Sequence, residues 1–244
     1  HLEENKGEVA AIMMEPMRSM LPPEGYLEKV QQLAKVNGAI LIFDEVSCGW
    51  RMSIGGAQKH LGITPDMSVF AKCMSNGYAM GCVVGSKDVM QDADKMFISS
   101  SYWSDNIGLA ASITTINELK NRNSETKFKE IGDKLTGAID GAIQSSGISA
   151  NTQGIHTRPT ISFALPDSSI GPKVNTLFIQ EMSKRGIYCT TAFCATLSHS
   201  DEDIELTAKA AEESFKVVLK GLEGSLDELI ETEIKQEPFR RIVS

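Results

Sequence analysis

Short apolar runs alternate along this chain with stretches whose apolar positions repeat at helical spacing, and that alternation predicts an α/β protein. Residues 9–15 (VAAIMME) form an apolar run stopped by Glu15-Pro16, the pattern of a buried strand. Pro22 and Pro23 precede a helical stretch with Leu27, Val30, Leu33 and Ala34 on one face and Gly38 placed to end it. Residues 39–43 (AILIF) are a second apolar strand, running into Asp44-Glu45. Strand, helix and strand with short links describe a βαβ unit with parallel strands. Residues 67–71 and 82–85 add two further short strands around a loop containing Ser75-Asn76-Gly77, and residues 107–119 read as a helix.

After Lys120 the pattern changes. A polar break, Asn121-Arg122-Asn123-Ser124, marks a domain boundary near residue 122. Residues 1–122 read as an α/β part with a mostly parallel sheet, and residues 123–244 as a smaller α+β domain. In the second part, residues 125–143 and 174–185 have helical patterns, and residues 160–165 and 187–193 read as strands. Ser200 is placed to cap a long helix reaching about residue 222, with Asp201, Glu202 and Asp203 favouring its positive end.

Composition narrows the class without changing this picture. The 244 residues are 41% hydrophobic and 23% charged, which excludes collagen-like, disordered and coiled-coil chains. No apolar run approaches the ~20 residues that span a bilayer, and residues 1–5 lack the basic start and apolar stretch of a signal peptide. Thirty-two acidic against 24 basic side chains give a net charge of −8, which disfavours nucleic acid and anionic membrane as partners. Five scattered cysteines without a C-x-x-C pair suit reduced thiols in the cytoplasm, and the four histidines have no metal-ligand spacing.

In open parallel sheets, functional groups collect at the carboxyl edge, where Glu15, Asp44 and Lys72 would stand. Asp44 follows five apolar residues, so its carboxylate is predicted to be half-buried at a strand tip, although a helix cap or an ion pair would account for it equally. Lys72 follows Ser68-Val69-Phe70-Ala71 and precedes a glycine-bearing loop. In a low-dielectric pocket its amine would become a nucleophile able to condense with an aldehyde; the alternative is a snorkelling lysine. The pair says more than either member. A lysine and a carboxylate at neighbouring strand tips, 28 residues apart in sequence, are what pyridoxal phosphate requires. The amine takes the aldehyde, and the carboxylate keeps the ring nitrogen protonated. Residues 81–87 (GCVVGSK) miss the phosphate-loop spacing, and Ser99-Ser100-Ser101 could serve either a phosphate or a helix cap.

Residues 42–51 (IFDEVSCGWR) resemble the I-F-D-E-V-x-T-G-F-R signature of class III aminotransferases, pyridoxal phosphate enzymes of the aspartate aminotransferase fold (fold type I). Residues 11–16 (AIMMEP) look like the family's strand ending in Glu-Pro, and Pro65-Asp66 through Lys72 to Gly77 resembles its segment carrying the Schiff-base lysine. The resemblance implies that Lys72 bonds the cofactor and shuttles the proton, Asp44 pairs with the pyridine nitrogen, and Val46 packs on the ring. It also implies that Ser101, standing for the family's threonine, contacts the phosphate, and that Glu15 sits toward the substrate. Residues 1–122 would be the carboxyl-terminal part of the cofactor-binding large domain, in a chain that resembles an N-terminally truncated member. Cys48 and Trp50 depart from the signature, and Ser47 stands where some relatives have glutamine or methionine near the cofactor. The implied activity moves an amino group between a small-molecule amino donor and a carbonyl acceptor in a homodimer. Residues 55–58 (GGAQ) lean toward the glutamate-1-semialdehyde aminomutase-like branch, so intramolecular amino transfer is an alternative; a decarboxylating or racemising relative and a catalytically incomplete fragment are others. Arg18 and Arg158 are available as carboxylate clamps, neither singled out by the pattern.

Overall fold

The computed structural model describes residues 2–103 and 105–235. The chain divides into two compact units, His1–Phe128 and Lys129–Ser244. In the first, the strands β1 (Ala11–Met14), β2 (Ile40–Asp44), β3 (Met67–Phe70) and β4 (Cys82–Gly85) lie in that order in one sheet. The first three are parallel and β4 is antiparallel to β3. The crossovers carry helix α1 (Tyr26–Val36) and helix α2 (Gly56–Leu61). Leu27, Ala34, Leu41, Phe43 and Ile63 form the core between α1 and the sheet, so the predicted apolar face of α1 is buried, except that Leu33 stays exposed. A short helix, α3 (Lys87–Met90), and a 16-residue one, α4 (Asn106–Asn121), whose cap is Asp105, follow. The serines at 99–101 precede that cap and take no part in it.

Parallel register aligns the carboxyl ends of the strands. Met14 lies opposite Phe43 and Asp44 opposite Val69, so Glu15 and Asp44 are the next residues out from neighbouring paired positions. Pairing then extends one step further, because the Glu45 backbone N–H donates to Val69 O at 2.9 Å. The Glu45 side chain has no exposure at all, and its carboxylate accepts the N–H groups of Ala57 and, at 3.0 Å, Gln58 at the start of α2. Gly56 has φ +83° there, and a Cβ on it would lie 2.7 Å from Glu45 Oε2. Gly49 is required for the same reason of space: its Cβ would meet Glu45 O at 2.7 Å and the Phe70 ring at 2.8 Å. Trp50 then sets its ring edge-on to Phe70 with centroids 4.6 Å apart. The loop after β2 is thereby tied to β3 on one side and to α2 on the other.

The second unit contains most of α5 (Ser124–Ser146), the antiparallel hairpin β5 (Ala150–Ile155) and β6 (Arg158–Phe163), α6 (Gly171–Lys184), α7 (Asp201–Lys220) and α8 (Leu226–Leu229). Ser200 caps α7 as its sequence predicts, in a reciprocal pair with Asp203. The predicted strand at 187–193 is not formed. That segment runs beside β6 with an isolated bridge, Thr160 to Ala192, flanked by two backbone bonds, Ile161 N–H to Thr191 O at 2.7 Å and Phe193 N–H to Pro159 O at 2.9 Å, too short a ladder to count as a strand. The core is aromatic: Phe178 and Phe215 stack with centroids 5.1 Å apart, and Phe163 meets both edge-on.

Two outcomes follow from this packing. Replacing the fully buried Phe215 with alanine is expected to cost about 3–5 kcal/mol, read as a fall in the urea midpoint with an unchanged slope; a loss below about 1 kcal/mol would contradict the packing. Burial pushes the Glu45 carboxyl above its usual 4.5, against the N–H groups of Gln58 and Ala57, which pull it down. A raised value in the folded state means that the protonated form favours folding. The Glu45 contribution is therefore complete below the unfolded value and declines as pH rises through the folded one. Compared with Glu45→Gln, which cannot ionise, the wild type is expected to lose stability in urea unfolding as pH rises above 4.5; a gap that stays constant with pH would contradict this. Glu45→Ala, which strands two N–H groups in the interior, is expected to cost about 2–4 kcal/mol.

Candidate active site

Asp44 ends β2 half-buried, and its Oδ1 accepts the Val46 N–H at 3.0 Å. That bond orients the carboxylate and turns the backbone so that Val46, also half-buried, and Ser47 follow along the same edge. On the neighbouring strand, Ala71 is extended and Lys72 takes φ +47°, a conformation uncommon for a residue with a Cβ. The turn carries Lys72 off the end of β3, and its Nζ donates to Ser47 Oγ at 2.8 Å. A lysine from the end of β3 and the loop that carries Asp44 on β2 thus meet directly.

The sequence leaves two environments open for Lys72, a low-dielectric pocket or a snorkelling side chain at a strand end, and the side chain is exposed. The left-handed turn takes it past the last sheet hydrogen bond, and Ser47 is the hydrogen-bond partner it has among the described residues. Glu15 stands at the matching end of β1, exposed, with Oε2 3.9 Å from Arg18 Nε, while Pro16 and Met17 beside it are buried. Ser101 lies in an exposed turn, and no hydrogen bond joins it to Asp44, Ser47 or Lys72. The structure therefore aligns Glu15, Asp44, Val46 and Lys72 at one sheet edge, and Ser101 is hydrogen-bonded to none of them.

Cys48 and Cys73 flank the site. Burial, reinforced by the Glu45 charge, pushes the Cys48 thiol up to about 12, so it is a neutral filler and not a nucleophile at neutral pH. Sequence reasoning passed over Ser47 as a partner of Lys72 and Glu45 as an anchor. The signal for the first is a hydroxyl three residues beyond the strand-tip acid. For the second it is an acid at the end of an apolar strand followed, eleven residues on, by Gly56 at a helix start.

The fit to pyridoxal phosphate rests on donor chemistry. Lys72 Nζ is an amine held at the edge by a neutral hydroxyl, with no carboxylate paired to it among the described residues. Asp44 has Oδ1 engaged by a backbone N–H, and no other hydrogen bond involves its side chain among the described residues. An oxygen is thus available for a protonated ring nitrogen. These residues fit the group.

Comparison with known proteins points to the same cofactor. The chain is 34% identical over 230 residues to the 3-aminobutyryl-CoA aminotransferase of Cloacimonas acidaminovorans (strain Evry), covering 91% of this chain and 56% of that protein. It is 32% identical over 236 residues to the glutamate-1-semialdehyde 2,1-aminomutase of Alkaliphilus oremlandii (strain OhILAs), covering 89% and 55%. The solved PLP internal aldimine form of the Sphingopyxis sp. MTA144 FumI protein superimposes with a TM-score of 0.82 at 25% identity, over 91% of this chain and 55% of that one. The chain thus spans about half the length of the relatives it matches. Its α/β fold, with a mixed and mostly parallel sheet, is that of the fold type I transaminases. The aminotransferase class-III model matches residues 1–209, and the chain belongs to the class III aminotransferase family.

Proposed function

We propose that this chain carries the lysine and the acid of a pyridoxal phosphate-dependent amino-transfer site. The observation that carries the reading is the Lys72 Nζ to Ser47 Oγ hydrogen bond, which joins the tip of β3 to the loop leaving Asp44. When bound, pyridoxal phosphate supplies an aldehyde that an amine can capture and a protonated ring that delocalises negative charge. The chain supplies the rest. Lys72 holds the cofactor covalently and, once released, its amine accepts and returns a proton at the substrate carbon. The Asp44 carboxylate, oriented by the Val46 N–H, holds a proton on the ring nitrogen, and Val46 supplies an apolar surface beside it. Ser47 keeps the lysine at the edge when it is free. Ser101 is assigned to the phosphate and Glu15 to the substrate side by the family resemblance alone.

The substrates in this reading are a small-molecule amino donor and a carbonyl acceptor. Intramolecular transfer on one skeleton is the second reading, favoured by the match to an aminomutase. The active form is a homodimer. Residues 96–103 support this by exposing Phe97 at 97% and Tyr102 and Trp103 at 66% each, an apolar surface that a second copy would cover. No helix among the described residues is long and apolar enough to cross a membrane, and five free thiols suit a cytoplasmic location.

Incubation with pyridoxal phosphate, borohydride reduction and peptide mass analysis test the assignment. The pyridoxyl group is expected on Lys72 in the wild type and absent from Lys72→Ala. Label on another lysine, or equal label in the variant, would refute it. A wild-type chain that gains no visible absorption band with pyridoxal phosphate would favour the catalytically incomplete reading.

A further inference from the structure

Arg158, the first residue of β6, holds the one buried side-chain nitrogen or oxygen without a hydrogen-bond partner among the described residues, its Nε. A guanidinium N–H withdrawn from water with no acceptor is costly, and such groups are normally paired. No ion pair involving Arg158 occurs among the described residues either. Arg158 lines a cavity of about 380 Å3 within the second unit, walled by Leu135, Ile187, Phe193 and Ile204, with His199 and Asp203 on its polar side.

No group on that wall is hydrogen-bonded to Arg158 Nε: one is an uncharged thiol and another, Asp203, has one carboxylate oxygen committed to a helix cap. Burial pushes the Cys189 thiol up to about 11, so it carries no charge at neutral pH. Asp203 Oδ2 accepts both the N–H and the O–H of Ser200, each at 2.8 Å, and those bonds hold its carboxyl below the usual range as part of the α7 cap. His199 Nδ1 accepts the Thr196 N–H at 3.4 Å, which leaves the neutral ring's proton on Nε2 as a second donor. The cavity is therefore lined by a guanidinium residue and a histidine beside aliphatic and aromatic walls. That combination fits a carboxylate with a short apolar tail, since the guanidinium fork matches a carboxylate with two parallel bonds.

We propose that the second unit binds a small organic acid, its carboxylate on Arg158 and His199 and its tail against Leu135, Ile187, Phe193 and Ile204. The site uses no residue of the first unit, so it stands or falls separately from the amino-transfer reading. Calorimetric titration of the 244-residue chain with butyrate, with neutral butyramide as isostere and inorganic phosphate as a bare anion, tests it. Butyrate is expected to bind one to one and at least tenfold more tightly than either control. Arg158→Gln is expected to weaken it at least tenfold, and Lys72→Ala to leave it unchanged. Equal binding of butyramide or phosphate, unchanged binding in Arg158→Gln, or loss in Lys72→Ala would overturn the proposal. If Arg158→Gln does not fold, proton NMR of the wild type decides. Butyrate is expected to shift the His199 ring signals and leave those of His60 in place, and the absence of a His199 shift would overturn the proposal.

Discussion

The two oxygens of the Glu45 carboxylate, sealed from water, tie the loop that follows β2 to the first turn of α2. The same residue's backbone continues the β2–β3 ladder one step beyond the last paired residue, Asp44. Everything at the sheet edge depends on this double tether. Asp44 precedes it and Val46 and Ser47 follow it, so none of the three can shift without breaking bonds to β3 or α2. A strand tip in a parallel sheet is ordinarily where loops begin to move. Here a buried acid, a glycine with left-handed backbone and a second glycine under Phe70 turn it into a rigid platform, which is what a site that must orient a ring nitrogen and a lysine amine needs.

Much of this edge was legible in the sequence, for a physical reason. β2 and β3 are short, largely apolar runs with alternate residues buried, so they were visible together with the charged residues that follow them. The α7 cap was visible because Ser200 and Asp203 have the chemistry that a capping box demands. What was not legible depended on contacts between distant residues. β5 (ANTQGI) has no alternation, and its pairing with β6 is what makes it a strand. The segment at 187–193 has strand composition, yet it meets β6 at only an isolated bridge. Helix α2 is six residues long and starts on a glycine, and its formation depends on a carboxylate eleven residues upstream.

The exposure of Lys72 has the same origin. Composition can indicate that a lysine leaves a buried strand, but not how much of the wall around it the chain itself supplies. Ser47 supplies one side. The chain spans about half the length of its relatives, and its family membership rests on the shared fold and on residues 1–209. The two units thus offer opposite electrostatic problems. At Lys72 the amine is exposed and bonded to a neutral hydroxyl, ready for an aldehyde, whereas at Arg158 a guanidinium nitrogen is buried without an acceptor and calls for an anion.

The central claim is convergence: an amine from the end of β3 and a carboxylate from the end of β2 act on one molecule. A crystal structure of the chain soaked with pyridoxal phosphate tests it most directly. The account predicts continuous density from Lys72 Nζ into the ligand, with the Asp44 carboxylate within hydrogen-bond distance of the ring nitrogen. A ligand held by Lys72 with Asp44 on the far face of the sheet, or one bound through neither residue, would contradict it.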